Sequence, residues 1–217
     1  MPPELISVGA SLGGLDAVRT LLRGLPSDFP CPVAVVQHRR SETDGGLDGG
    51  LLELLNAQSA LPVIEPDDKE PIVPGRVYLA ASSYHLVVER GFFSLSLDVP
   101  VLFARPAIDV LFESMADSYG AAGVAVMLTG SNDDGALGAL AVKNVGGTVL
   151  VQDPATARAP EAPRAVLARC AVDGVLPIEG IAEQLVRLCR ERGTATPQPA
   201  SRAPRPAAGD RGRPRQR

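Results

Sequence analysis

A serine, a histidine and an aspartate each follow a buried stretch of this chain, where side chains can do chemistry. Ser11 comes after the run LISVGA, His38 after PVAVVQ, and the pair Asp133 and Asp134 soon after GVAVML. If the three stretches are parallel neighbouring strands, their carboxyl ends meet at one edge of a sheet. Serine becomes a nucleophile when histidine removes its proton, and a carboxylate orients the imidazole. The sequence therefore indicates nucleophilic acyl chemistry.

Each of these residues also has a purely structural interpretation. Ser11 is a good N-cap type for the helix that follows it, and either aspartate suits the cap of a helix starting at Gly135. His38 suits a hydrogen-bonded strand end. Taken alone, the cap is the favoured interpretation of Ser11 and of the aspartates, and the two interpretations of His38 are balanced. Taken together, three strands that end in the three residue types of a triad favour catalysis.

Phosphate binding is the rival interpretation of the stretch GASLGG, residues 9–14. A dinucleotide fingerprint needs glycine where Ser11 stands and an acidic residue after the second strand, which ends instead in Gln37 and His38. The P-loop sequence GK[ST] is absent. The stretch does match GxSxG, the nucleophile elbow of α/β-hydrolases. Those enzymes, however, have strands before the elbow and the chain order serine, aspartate, histidine.

Alternating buried strands and helices must bring these residues together. Apolar runs predict strands, and apolar residues at helical spacing predict helices. Three short, closely spaced strands with a turn at Arg90-Gly91 predict a small antiparallel insertion. The predicted fold class is α/β, with mainly parallel strands and this antiparallel appendage. The predicted strands are 5–9, 32–37, 63–64, 76–80, 85–89, 93–97, 123–128 and 148–152, and the predicted helices are 13–25, 51–57, 107–119, 135–145, 161–168 and 178–192.

Composition narrows the class of protein. The 217 residues are 45% hydrophobic but only 4% aromatic, so Val, Leu, Ile and Ala must build the core, which suits parallel strands covered on both faces. No apolar run reaches about 18 residues, and MPPELISV lacks the features of a signal peptide. The three cysteines share no CxxC spacing, and only two histidines are present. We therefore expect a cytoplasmic protein without membrane insertion, zinc site or His-rich metal cluster.

The C-terminal segment 194–217 differs in charge from the rest of the chain. It carries six arginines, one aspartate and five prolines, with no large apolar residue. Its net charge is +5, whereas residues 1–193 carry −9. Such a segment buries too little apolar surface to offset its ordering entropy, so we predict a folded domain over 1–193 and a disordered tail over 194–217. A solvated tail is the favoured interpretation, and a tether to an anionic partner is the alternative.

Four stretches, in the order VGASLGGLDAV, VVQH, RPAIDVLFESMA and VMLTGSNDDGA, resemble the catalytic domain of CheB-type protein-glutamate methylesterases of bacterial chemotaxis. The resemblance extends from about Leu5 to Arg190. It implies a Rossmann-like, doubly wound α/β domain that hydrolyses glutamyl methyl esters on the helical cytoplasmic domains of chemoreceptors and releases methanol. Many family members also deamidate receptor glutamines. The resemblance implies no cofactor, no metal and no nucleic-acid partner.

The resemblance assigns roles to individual positions. Ser11 in GASLGG is implied as the nucleophile, and His38 in VVQH as the general base. The aspartate of the family directly precedes Gly-Ala, which selects Asp134 over Asp133. These three residues form the Ser-His-Asp triad that the resemblance predicts.

Further positions near the implied site supply backbone donors or depart from the family. The N–H groups of Leu12 and Ser131 are expected to stabilise the oxyanion. Arg39 follows the histidine where methionine is common, and His85 has a counterpart in the family; both are substrate-proximal candidates. A solvated Arg39 and a structural His85 are the alternatives. The segment 157–163, ARAPEAP, replaces a Gly-Met-Pro-type segment near the site.

The first predicted strand begins at Leu5, which leaves no room for the N-terminal receiver domain of regulated family members. We therefore expect a stand-alone esterase that is constitutively active or gated by another protein. The expected partners are chemoreceptors, with a methyltransferase or a separate receiver protein as further candidates. Two other functions stay open: a non-catalytic adaptor that binds receptors or a methyltransferase, and a serine esterase of small molecules.

Overall fold

The computed structural model describes residues 3–38 and 48–191. Within these ranges strands and helices alternate, apart from one region of four successive strands. In chain order the elements are β1 (Leu5–Ala10), α1 (Gly14–Arg23), β2 (Val33–Gln37), α2 (Asp48–Asn56), β3 (Val63–Ile64), β4 (Val77–Leu79), β5 (His85–Glu89), β6 (Phe92–Ser96), α3 (Ile108–Tyr119), β7 (Gly123–Met127), α4 (Ala136–Asn144), β8 (Thr148–Gln152), α5 (Glu161–Arg169), β9 (Gly174–Leu176) and α6 (Ile178–Glu191).

A seven-stranded parallel sheet forms the centre of the fold, in the order β3-β4-β2-β1-β7-β8-β9. Strands β1, β2 and β7 are buried along their whole length, because helices cover both faces of the sheet. Strands β5 and β6 pair antiparallel to each other outside this sheet. The predicted α/β class, with a doubly wound parallel sheet and an antiparallel hairpin, is confirmed.

Two apolar clusters hold the layers together. On one face α1, α2 and α6 pack on the sheet through side chains that include Leu21, Leu55 and Leu185. On the other face α3, α4, α5 and the β5–β6 hairpin pack through a second cluster that includes Leu111 and Phe93. Strand β1 therefore lies in the middle of the sheet with helices above and below it, and its C-terminal end is fixed from all sides.

Residues 76–80 were predicted to belong to the antiparallel insertion, and this prediction is wrong. Strand β4 lies in the main sheet, parallel to β2 and β3. All three of its residues are buried, as expected for a sheet covered on both faces, whereas β5 and β6 each keep several partly exposed residues. Strand β9 was not predicted, because its three residues GVL are half-exposed and give no periodic signal. The other boundaries agree within about three residues.

Two sequence predictions concern parts of the chain that the structure does not describe. The tail, residues 194–217, lies outside the described residues, so the division into domain and tail stays a prediction. Arg39 lies outside them as well. Within the described residues, 3–38 and 48–191, no helix combines the length and the apolar character needed to cross a bilayer.

The segment between β6 and α3 contains an apolar turn. Val101 and Ala104 exchange two backbone hydrogen bonds, with N···O distances of 3.1 and 2.8 Å. Between them Leu102 and Phe103 have φ angles of 47° and 65°, and both are exposed, Phe103 completely. Two-residue hairpin turns with positive φ favour Asn-Gly. Phe103 therefore gains no burial that would offset its left-handed backbone, and Leu102 is only partly buried.

Replacing Leu102 with Asn and Phe103 with Gly together is expected to raise the free energy of unfolding by about 1 kcal/mol. The left-handed conformation costs most L-residues roughly 1–2 kcal/mol each, and Asn and Gly tolerate it. Chemical denaturation measures the change. Alanine at both positions is the control, because it removes the apolar side chains and keeps the backbone cost. Equal stabilisation by the alanine pair would contradict the explanation.

Candidate active site

Three neighbouring strands deliver the predicted triad residues to one edge of the sheet. Ser11 directly follows β1, His38 directly follows β2, and Asp134 lies in the loop after β7. The chain leaves β1 towards β2 on one side and leaves β7 towards β8 on the other. The loops after β1 and β7 therefore diverge and open a crevice, which is where open α/β sheets bind ligands.

The side chains of Ser11, His38 and Asp134 form one hydrogen-bonded series. The Nδ1 atom of His38 lies 3.2 Å from Ser11 Oγ, and its Nε2 atom lies 2.7 Å from Asp134 Oδ2. A carboxylate only accepts, so the proton of the neutral ring is on Nε2 and the free lone pair of Nδ1 faces the serine hydroxyl. This orientation is the reverse of the serine-protease template, in which Nε2 faces the serine. The structure thus brings together the three side chains that the sequence singled out.

The carboxylate of Asp134 is completely buried and held by the start of α3. Its Oδ2 also accepts from the Ile108 N–H at 2.8 Å, and its Oδ1 accepts from the Asp109 N–H at 2.9 Å. These amides belong to the first turn of the helix, where no intrahelical acceptor is available and the helix dipole favours a negative charge. Both oxygens are therefore fixed, and with them the orientation of His38.

The capping interpretations of Ser11 and of the aspartates are not found. The N-caps of α1 and α4 are Gly13 and Gly135, and neither helix has a side-chain cap hydrogen bond. Asp133 faces outward, where its carboxylate pairs with Arg169 at 3.2 Å and is half-exposed. Of the two adjacent aspartates, only Asp134 reaches the histidine.

Two backbone N–H groups next to Ser11 are available for an oxyanion. Among the described residues, neither the Leu12 N–H nor the Ser131 N–H donates to a protein acceptor. The backbone around Ser131 approaches the serine closely: a Cβ on Gly130 would lie 3.1 Å from Ser11 Cβ. Leu12 is 52% exposed and forms part of the wall of a cavity at the serine. The two predicted donors thus lie on the loops that meet at the nucleophile.

A cavity of about 530 Å³ opens at this point. The side chains and backbone of Ser11, Leu12, His38, Ser131 and Arg158 are part of its wall. Ser11, His38 and both candidate oxyanion donors therefore share one space that is large enough for a side-chain ester. An attacking hydroxyl, a base and a carboxylate beside two backbone donors can perform acyl transfer.

Buried amides and a hydroxyl that the sequence reasoning missed hold the loops of the site. Gln37 donates through Nε2 to the carbonyl oxygens of Ser11 and His38, both at 2.9 Å. Thr129 donates through Oγ1 to the carbonyl of Leu12 at 2.8 Å, and its own N–H donates to Gln152 at 2.9 Å. Gln37 and Gln152 are the last residues of β2 and β8. A polar residue that ends an apolar strand was the signal that could have found them.

Comparison with known proteins identifies the family. The profile of the CheB methylesterase family matches residues 6–185. The chain belongs to this family. A relative from Leptospira interrogans is 41% identical over 186 residues, which are 85% of this chain and 94% of the relative. The protein-glutamate methylesterase/protein-glutamine glutaminase 2 of Anaeromyxobacter dehalogenans is 43% identical over 187 residues, 86% of this chain but only 54% of that protein.

A solved CheB structure has the same fold. The CheB methylesterase catalytic domain of Thermotoga maritima matches with a TM-score of 0.80 and 34% sequence identity. The match covers 87% of this chain and 100% of that domain. The resemblance to the CheB family and the Rossmann-like fold that it implied are therefore confirmed, whereas the individual roles of Ser11, His38 and Asp134 stay predictions.

His85, a substrate-proximal candidate from the sequence, does not face the cavity of this CheB-family protein. It is 1% exposed. Its Nδ1 accepts from the Ala107 N–H and its Nε2 donates to the carbonyl of Val99, both at 3.2 Å. Both ring nitrogens are engaged inside the protein, which fits the structural alternative. Because Ala107 immediately precedes α3, His85 helps to fix where the helix that holds Asp134 begins.

A second buried carboxylate, Asp109, lies beside Asp134 and was missed by the sequence reasoning. It is 4% exposed and accepts from the Gly138 N–H in α4 at 2.8 Å. Burial raises the pKa of Asp109 to about 6; the negative charges of Asp134 and Glu113 add to this rise, whereas the N–H groups of Gly138 and Gly135 oppose it. A charged residue inside the apolar helix start AIDVLF was the signal in the sequence.

Stability is expected to fall between about pH 4 and pH 6 because of Asp109. An aspartate in the unfolded chain has a pKa of 3.8, whereas folded Asp109 has a pKa of about 6 and keeps its proton up to that pH. The folded state binds more protons in this window, so the free energy of unfolding decreases as the pH rises, by roughly 3 kcal/mol in all.

The replacement Asp109→Asn is expected to remove this part of the pH dependence. Urea unfolding at a series of pH values between 4 and 7 measures the free energy of unfolding. The slopes of this free energy against pH are compared, and not its absolute values, because the new amide also changes hydrogen bonds. Asp117→Asn, exposed on the same helix, is the matched control. Parallel pH profiles for the two variants would contradict the assignment to Asp109.

Proposed function

We propose that this protein is a serine esterase that hydrolyses glutamyl methyl esters on the helical cytoplasmic domains of chemoreceptors and releases methanol. The observation that carries the proposal is the hydrogen-bonded series of Ser11, His38 and Asp134 at the wall of a cavity. Membership of the CheB methylesterase family supports the same activity, since relatives are named protein-glutamate methylesterases.

Acylation begins at the serine. His38 Nδ1 takes the hydroxyl proton while Ser11 Oγ bonds to the γ-carbonyl carbon of the ester. The carbonyl oxygen becomes an oxyanion, for which we assign the N–H groups of Leu12 and Ser131 as donors. Asp134 stabilises the imidazolium that forms. His38 then gives its proton to the methoxy oxygen, the carbon–oxygen bond breaks, and methanol leaves behind a glutamyl ester of Ser11.

Deacylation repeats these steps with water. His38 accepts a proton from water, the hydroxide oxygen bonds to the acyl carbon, and the proton passes to Ser11 Oγ as the free glutamate leaves. A glutamine side chain gives the same acyl-enzyme with ammonia as the leaving group. We extend the proposal to deamidation on this ground, and the second half of the relatives' name, protein-glutamine glutaminase, supports it.

The proposed substrate determines the proposed location and partners. Glutamyl esters on the cytoplasmic domains of receptors require an enzyme in the cytoplasm. A methyltransferase must act on the same glutamates to supply the ester. A separate receiver protein stays a further candidate partner.

Methanol release from a methylated receptor tests the proposal. The full chain is incubated with a receptor cytoplasmic fragment that carries isotope-labelled methyl esters, and the volatile label is measured. We expect release that depends on the amount of protein and stops after treatment with a serine-reactive fluorophosphonate. The unmethylated fragment is the control.

The same assay separates the two other functions. A non-catalytic adaptor would bind the methylated fragment, release no label and resist the fluorophosphonate. A small-molecule esterase would react with the fluorophosphonate and hydrolyse a generic aryl ester, but the methylated fragment would not compete with that ester. Either result would exclude the proposed activity on receptors.

A further inference from the structure

An arginine forms part of the wall of the active-site cavity. Arg158 lies in the loop between β8 and α5 and lines the same space as Ser11, His38 and Ser131. Its aliphatic stem packs on Gly13: a Cβ at Gly13 would lie 2.7 Å from Arg158 Cβ and 2.8 Å from Arg158 Cδ. Glycine at position 13, with φ at 80°, therefore leaves room for the arginine stem beside the nucleophile.

The backbone next to Arg158 is tied to the loop that carries Ser131. The Ala159 N–H donates to Thr129 Oγ1 at 2.9 Å, and the Ala159 carbonyl accepts from the Gly130 N–H at 3.0 Å. The arginine consequently starts from a fixed position relative to the proposed oxyanion donors. Arg158 belongs to the segment ARAPEAP, residues 157–163.

The guanidinium of Arg158 has no acidic partner within the part of the chain that the structure describes. The residue is exposed, and no carboxylate lies within 4.0 Å of it there. Asp16, the acidic side chain on the same cavity, pairs instead with Arg19 at 3.3 Å. Guanidinium groups present a planar set of donors that matches a carboxylate in a bidentate manner. Among the described residues, the cavity therefore offers a positioned cation that makes no ion pair.

We infer that Arg158 is a specificity-determining residue that binds an acidic side chain next to the methyl ester on the substrate helix. The inference rests on the proposed function. Methylation removes the charge of the reacting glutamate, so an ion pair with the arginine requires a neighbouring carboxylate. On a helix, residues three and four positions away have Cβ atoms about 5–6 Å from the reacting residue. A carboxylate at one of these positions reaches the cavity wall when the ester reaches Ser11.

Synthetic helical peptides test the inference. Each peptide carries a single glutamate γ-methyl ester and either Glu or Gln at one of the positions −4, −3, +3 or +4. Methanol release by the full chain gives kcat and KM for each peptide. At one position we expect about threefold to tenfold higher kcat/KM with Glu, expressed mainly in KM and weakened at 0.5 M salt.

Variants of Arg158 test whether this residue causes the preference for Glu. Arg158→Ala is expected to reduce the Glu-over-Gln ratio to about one, and Arg158→Glu to favour a peptide with Lys at the same position. Arg164→Ala, an exposed arginine on α5, is the matched control and keeps the ratio of the unmodified protein. The preference for Glu and its reversal by the charge exchange would support recognition of the neighbouring carboxylate.

Two results would overturn the inference. In the first, the unmodified protein hydrolyses the peptides without any preference between Glu and Gln. In the second, Arg158→Ala lowers kcat equally for all peptides, which would mean that the arginine acts on the reacting atoms. No release from any peptide would overturn the proposed function together with the inference, so the two failures are distinguishable.

Discussion

Ser11→Ala is expected to abolish methanol release from a methylated receptor, with kcat reduced by at least about 10⁴-fold. The hydroxyl that faces His38 Nδ1 at 3.2 Å is the proposed nucleophile, and alanine offers no atom that forms the acyl-enzyme. The remaining rate comes from substrate binding and the backbone donors. Labelling by a fluorophosphonate, read by mass spectrometry, is expected to disappear in the same variant.

The fold should survive this replacement. Ser11 does not cap α1, whose N-cap is Gly13, and its backbone bonds to Thr129 and Gln37 do not involve the side chain. Thermal unfolding of the variant is therefore expected to match that of the unmodified protein. Ser27→Ala, an exposed serine in a turn, is the control and should keep both activity and labelling. Methanol release at an unchanged rate from the Ser11 variant would refute the nucleophile assignment.

Asp134→Asn is expected to lower kcat by about 10³–10⁴-fold. The asparagine presents a donor amide or a neutral oxygen to His38 Nε2, so the ring loses the partner that fixes its tautomer. The imidazolium formed during attack also loses the adjacent negative charge. Two backbone donors from Ile108 and Asp109 meet the same side chain, so an amide there leaves at least one buried donor unpaired. We therefore expect a loss of about 1–3 kcal/mol in stability as well.

Asp133→Asn is the matched comparison, one residue away and of the same chemistry. Its exposed pair with Arg169 contributes less than about 1 kcal/mol, so activity should stay within about twofold. Single-turnover rates, measured where circular dichroism shows both variants folded, separate a chemical effect from unfolding. A larger loss for Asp133→Asn than for Asp134→Asn would mean that the other carboxylate serves the histidine.

The position of the three strand ends could be predicted from the sequence because of local patterns. Mostly apolar runs predicted β1, β2 and β7. Neighbouring parallel strands place the residues that follow them on one edge of the sheet. Ser11 and His38 follow their strands directly, so small errors in strand boundaries did not matter. The choice between Asp133 and Asp134 came from the family resemblance, and Asp134 lies beside the histidine in the structure.

What could not be predicted depends on contacts between distant parts of the chain. The pairing of β4 with β2 is decided by burial on both faces, which a three-residue strand does not reveal. Backbone N–H groups at the start of α3 hold Asp134, and hydrogen bonds from Thr129 and Gln37 hold the loop that carries Ser11. The burial of His85 likewise follows from where the β5–β6 hairpin meets α3. None of these relations leaves a period or a spacing in the sequence.

The central place of β1 has a consequence for how the protein is made. This strand is synthesised well before its neighbour β7, which begins only at Gly123. At roughly 5–20 residues per second, one edge of β1 stays unpaired for about 6–24 s on the ribosome. An apolar strand with an open edge invites pairing with other chains. Chaperone binding to nascent chains that end before Gly123 would be the sign of this exposed interval.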